Sequence, residues 1–248
     1  MTLAALFYAK HPRRLLPSRR RKPRPVRRRR VLLEPLEPRL LLSVTPTFAG
    51  TLSLLEGTDV NVSELTQSQT ETAIAINPAI PSNLVAMANG GALPNEFTAF
   101  STNSGQDWTT INIGPAEDGL AGGDRFDGAV AVDAFGNVHV VYMQRPTGAT
   151  NSTPKAIVHA MSADGGRTYP TVNVLANAVG TDKPWIATGI DSSTPGNQMV
   201  VVTHRDGSGN IQAYAASVSG RGAMGAFSAP VQVNDVAGGN KRKTKYLP

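Results

Sequence analysis

Val158-His-Ala-Met-Ser162-Ala-Asp164-Gly165-Gly166-Arg-Thr168-Tyr169 is the stretch that decides the fold. Its opening residues suit a strand, and the remainder has the chemistry of a tight turn. An Asp side chain accepts backbone N–H groups across such a turn, and Gly takes a conformation that a Cβ would strain. Ser and Thr hydroxyls add further bonds, and the aromatic ring plugs the space beneath the hairpin. A second version, Phe97-Thr-Ala-Phe-Ser101-Thr-Asn103-Ser-Gly105-Gln-Asp107-Trp108, stands 61 residues upstream, counted from Ser162 back to Ser101. It keeps the Ser, the Gly and the aromatic ring, but has Asn103 for the Asp and Asp107 for the Thr.

Outward from these turns, a longer unit repeats. Glu71-Thr-Ala-Ile-Ala-Ile-Asn77 pairs without a gap with Asp127-Gly-Ala-Val-Ala-Val-Asp133 at an offset of 56. Both runs mix small and β-branched residues, which predicts strands packed on both faces. Second strands follow at Ser82-Asn83-Leu84-Val-Ala-Met-Ala88 and Gly136-Asn137-Val138-His-Val-Val-Tyr142. Gly and Asn at those turns tolerate positive φ. A third copy shows Gly196-Asn197-Gln198-Met-Val-Val-Val202 at the matching point. Its opening strand, Trp185-Ile-Ala-Thr-Gly-Ile-Asp191, aligns in either of two registers. Its turn, Ser217-Val-Ser-Gly-Arg221, lacks the Asp, and Phe227 arrives late. Pro230-Val-Gln-Val-Asn234 still reads as a closing strand.

The pattern Ser-x-Asp-x-Gly-x-Thr-aromatic resembles the Asp-box of bacterial neuraminidase (BNR) repeats. The resemblance is carried by Ser162, Asp164, Gly166, Thr168 and Tyr169, and by Ser101, Asn103, Gly105, Asp107 and Trp108. It implies an all-β fold, a partial β-propeller of the sialidase type with about three four-stranded antiparallel blades over residues 70–248. In that family the box joins the third and fourth strands at the blade edge, away from the channel, in a structural role. Complete propellers have roughly four to eight blades. Three repeats therefore predict a C-terminally incomplete propeller, or a ring completed by oligomerisation.

Charge divides the chain. Its formal net charge is +6, yet residues 1–43 hold 13 basic residues against two acids, and residues 44–240 hold seven against 16. A basic nucleic-acid-binding globule is disfavoured, because the part able to fold is acidic. Residues 1–30 contain 12 Lys or Arg, and Pro12, Pro17, Pro23 and Pro25 interrupt any helix, which predicts a disordered leader. Leu36-Glu37-Pro38-Arg39-Leu-Leu41-Leu42 then resembles the LEPR-x-LL motif of exported and surface proteins of planctomycete-type bacteria. That resemblance implies export machinery as a partner and a secreted or cell-envelope location. The alternative is a basic arm contacting nucleic acid or anionic lipid. Residues 44–69 read as a linker or leading strand. No apolar run reaches the roughly 18 residues of a membrane helix, and Cys is absent, which removes disulfides and thiolate chemistry.

Three function classes stay open. The first is a glycan- or protein-binding module at the cell surface. The second is a sialidase-like (exo-alpha-sialidase) glycoside hydrolase whose catalytic blades lie outside this chain, and the third is a structural adhesin module. Sialidases use an arginine triad, a Tyr/Glu pair and an Asp acid/base, with an Arg-Ile-Pro signature ahead of the first box. Thr70-Glu71-Thr72 stands at that point here, so no catalytic residue, metal or cofactor is assigned. Candidate ligand contacts at the channel rim are Glu71 and Asp127, with Asp124, Arg125, Asp182 and Lys183 close by. The alternative is that these are solvated loop charges. His139, His159 and His204 share no metal-ligand spacing, and Asp206-Gly-Ser-Gly-Asn210 suits a hairpin better than a calcium loop.

Overall fold

The computed structural model describes residues 59–90, 95–150 and 152–234. The leader, the motif at 36–42 and the basic stretch at 241–248 lie outside the described residues. The first sheet is β1 (Thr70–Ile76), β2 (Leu84–Asn89), β3 (Glu96–Ser101) and β4 (Thr109–Thr110), hydrogen-bonded in chain order. A one-turn helix, α1 (Pro115–Asp118), leads into the second sheet: β5 (Asp124–Val132), β6 (Val138–Arg145), β7 (Lys155–Ser162) and β8 (Thr171–Ala178). The third sheet runs through β9 (Asp182–Ile190), β10 (Gln198–Arg205) and β11 (Ile211–Gly220). Its outermost strand is in two pieces, β12 (Ala223–Met224) and β13 (Val231–Gln232), both pairing with β11. Every pairing is antiparallel. The innermost strands β1, β5 and β9 neighbour one another in sequence order, which makes the sheets consecutive β-propeller blades.

Apolar side chains fill the two spaces between blades. Val85, Met87, Phe100 and Ile113 of the first unit meet Val138, Val140, Tyr142, Val158, Ala160 and Tyr169 of the second. On the opposite face Val141, Met143 and Ile157 meet Ile186, Val200, Val202, Ala216 and Val218. The central blade is therefore covered on both sides, and β6 is buried almost throughout. That is why its sequence runs apolar without strict alternation. The expectation of two-sided packing fails for β1. Ala73 faces the second blade, but Ile74 and Ile76 lie on the other face and are exposed. Residues 59–69 form no strand; Val62 and Leu65 pack on Ala88, Phe97 and Ala99.

The register of the third opening strand resolves in both ways at once. Asp191 closes its turn by donating its N–H to the Asn197 carbonyl, as Asp133 does with Asn137 and Asn77 with Asn83. Yet Lys183 keeps the 56-residue interval from Asp127. β9 thus holds two more residues between these landmarks than β5 does.

Both turns join the third and fourth strands of their blades. In the second, Asp164 Oδ1 accepts from the N–H groups of Arg167 (3.0 Å) and Thr168 (2.9 Å), and Oδ2 accepts from the Thr168 hydroxyl at 2.7 Å. The Ser162 hydroxyl donates to Asp164 and accepts from Gly166 N–H. Gly166 has φ +95°, and a Cβ there would press on Val85 and Phe100 of the first blade. In the first turn the polarity is reversed: Asn103 Nδ2 donates to Asp107 Oδ2 at 2.7 Å, while Asn103 Oδ1 accepts from Asp107 N–H. The two departures from the pattern compensate each other. Asn103→Asp alone sets two carboxylates face to face and is expected to cost about 1 kcal/mol. Adding Asp107→Thr should restore the loss, and a double-mutant cycle by urea denaturation measures the coupling.

Amides also latch blade to blade. Asn83 Nδ2 donates to the carbonyls of Ser101 in its own blade and Gly165 in the next, both at 3.0 Å. Asn137 repeats this one blade on, donating to the Gly220 carbonyl and accepting from Gly222 N–H. The third turn thus keeps the latch without the Asp.

Candidate functional site

Each innermost strand begins with an irregularity at the same repeat position. Glu71, Asp127 and Lys183 have φ of 54°, 59° and 46°, a left-handed backbone that non-glycine residues rarely adopt. Pairing registers slip between Thr70 and Ala73, and between Phe126 and Ala129, as at a β-bulge. Bulges re-aim side chains, and these three converge at one end of the inner strands. The Lys183 ammonium donates to the Glu71 carboxylate, joining the third blade to the first. That bond holds Glu71 below the usual carboxylate range and Lys183 above its own. Asp127 is raised, first by partial burial and then by the neighbouring Glu71 charge. Its backbone N–H donates to Asn89 Oδ1 at 2.7 Å, fixing the bulge.

A pocket of about 160 Å³ opens between them, lined by Glu71, Thr72, Asp127, Gly128, Lys183 and Trp185, among others. Trp185 is 61% exposed, a large ring left open beside charged groups. It was not singled out as a site residue from the sequence, although a signal existed. The 56-residue interval sets it opposite Ala73 and Ala129, so a Trp replaces two alanines. Behind the floor lies Glu96, which is 0% exposed and has no hydrogen-bond partner on either carboxyl oxygen. A Cβ on Gly128 would run into its Oε1, so the carboxyl points at the pocket floor. Burial pushes its pKa up to about 8; the nearby Gly128 amide opposes this, and the Asp127 and Glu71 charges add to it. The 61-residue interval sets Glu96 opposite Ile157, an acid at an apolar repeat position.

The other sequence candidates separate. Asp182 lies exposed beside Lys183, and its charge adds to the rise of Asp127. Asp124 pairs with Arg145, beside a different groove formed with residues 146–149. Arg125 is not a rim residue. It is 2% exposed, and Asp118 holds its guanidinium in a two-pronged ion pair at 2.8 Å. The Gly123 and Leu120 carbonyls accept its other bonds. Position at the start of an inner strand did not reveal that the side chain turns inward, because its partner comes from α1, which precedes that strand.

Three histidines also occupy the interior, His139, His159 and His204, and the first two meet. His139 Nε2 lies 3.0 Å from Asp133 Oδ2, and its Nδ1 lies 3.1 Å from His159 Nε2. Asn173 and the edge of Phe227 complete the surroundings. Burial pushes His159 down to about 3, so it is held neutral. No group of three or more His, Cys, Asp or Glu converges as metal ligands among the described residues. Asp206 caps its hairpin by accepting from Ser208 and Asn210 N–H.

No protein-family model matches the chain, and no curated protein matches it. Among solved structures, the chain is similar to "Hadza microbial sialidase Hz136", at 16% identity and a TM-score of 0.43. The alignment covers 65% of this chain and 38% of that one, so this chain spans well under half of that protein's length.

Proposed function

We propose that this propeller is a glycan-binding module, with the rim pocket beside Trp185 as its site. One observation carries the reading: an exposed indole flanked by Glu71, Asp127 and Lys183 in a small pocket. Sugar rings present apolar C–H faces that stack on aromatic rings, and hydroxyls that exchange hydrogen bonds with carboxylates and ammonium groups. The motif at 36–42 supports export to the cell envelope, where such ligands are found. The sialidase-like hydrolase is the weaker reading. Acidic sugars are bound through cationic groups, and among the described residues the one cation lining this pocket, Lys183, is engaged by Glu71.

Titration of the full chain with neutral, amine-bearing and acidic oligosaccharides, read by tryptophan fluorescence and calorimetry, tests this proposal. Trp185→Ala is expected to weaken binding at least tenfold, about 1.4 kcal/mol, with an unchanged melting temperature. Absence of binding across all three classes would remove the glycan reading. Turnover of a fluorogenic sialoside would favour the hydrolase.

A further inference from the structure

The rim carries more negative charge than its own hydrogen bonds neutralise. Lys183 is engaged by Glu71, while Asp127 and Asp182 bring two further carboxylates to the same mouth. Below them the buried Glu96 carboxyl points at Gly128, whose amide opposes the rise in its pKa. The described residues hold no metal-ligand cluster there, and the Lys183 ammonium already occupies the Glu71 side. What remains is a pocket lined by both the Asp127 carboxyl and the exposed Trp185. An ammonium group fits between the two: it donates to a carboxylate and is attracted to an indole face.

We propose that the rim pocket selects an amine-bearing sugar, a hexosamine with a free ammonium, over its N-acetylated counterpart and over acidic sugars. The proposal rests on the glycan-binding reading and adds the class of ligand. Asp127 accepts from the ammonium, Trp185 stacks on the ring, and Glu71 with Thr72 takes the hydroxyls. Acetylation removes the charge that Asp127 pairs with, and a sugar carboxylate faces Glu71, Asp127 and Asp182 as like charges.

The test is calorimetric titration of the full chain with a glucosamine oligosaccharide, the matching N-acetylglucosamine oligosaccharide and sialyllactose, at pH 6 and low salt. The glucosamine probe is expected to bind at least tenfold tighter than the acetylated one. Asp127→Asn should abolish that preference, bringing the two glucosamine-series affinities to within about twofold of each other, and Asn tolerates the left-handed backbone there. Should that variant fold poorly, exposed Asp182→Asn is expected to reduce the preference by a smaller factor. Equal affinity for the two glucosamine-series probes overturns the inference and leaves the glycan reading standing. Tighter binding of sialyllactose overturns it as well. Failure of all three probes removes both readings together.

Discussion

Asp118→Ala is expected to destabilise the protein by about 3–5 kcal/mol, the loss seen when one partner of a buried ion pair is removed. Three groups lose their partner together. Arg125 loses both prongs of its ion pair, the Tyr142 hydroxyl loses an acceptor at 2.9 Å, and Leu120 N–H loses another. The Arg125 side chain is 0% exposed, so its stranded charge cannot reach water without local unfolding. For a folded region of this size the melting temperature should fall by roughly 10 °C or more. Urea denaturation with far-UV circular dichroism measures the loss. Replacing both partners by apolar residues, Asp118→Leu with Arg125→Met, should cost far less than Asp118→Ala, because no charge is then left buried. A melt of Asp118→Ala unchanged from the parent would show that Arg125 is free to act elsewhere.

Glu96→Gln is expected to stabilise the protein on the alkaline side and to change little in acid. The folded pKa of Glu96, about 8, lies above its unfolded value of 4.5. Its contribution is therefore fully present below about pH 4.5 and is lost as pH rises through about 8. His159 works from the other side. Its folded value of about 3 lies below its unfolded 6.5, so stability falls on acidification through that window. The parent should show maximal stability at mildly acidic pH, between about 4.5 and 6.5, with a decline toward pH 8 that Glu96→Gln removes. At pH 9 the difference is on the order of a few kcal/mol, because each unit of displacement is worth about 1.4 kcal/mol. Urea midpoints of both proteins between pH 5 and pH 9 decide it. Parallel curves would mean that Glu96 ionises without cost, and so is reached by water.

The repeat unit was legible because its punctuation is chemical. Ser101, Ser162, Asn83 and Asn137 mark turns whose hydrogen bonds require those residue types, so their spacing survives in the sequence. The inner-strand bulges were legible only as an interval: Glu71, Asp127 and Lys183 share a backbone conformation but no residue type. Periodicity could not report which strands have neighbours on both faces, since Ile74 and Val130 look alike until a blade is placed beside one of them. Asp118 lies in a segment between blades with no counterpart in the repeat, so nothing in the pattern tied it to Arg125. Glu96 and Trp185 were readable as exceptions to the repeat, an acid opposite Ile157 and a Trp opposite two alanines.

The amide latches have a further consequence for how such a chain can grow. Asn83 finds its distant acceptor at Gly165 and Asn137 at Gly220, so the second unit carries both an acceptor for its predecessor and a donor for its successor. The rule is head-to-tail and the same at both joints among the described residues. A unit copied in tandem brings both halves of the fastening with it, one for each neighbour. Lengthening the array by duplication thus needs no new surface chemistry, and a newly copied unit is free to vary wherever it does not touch the latch.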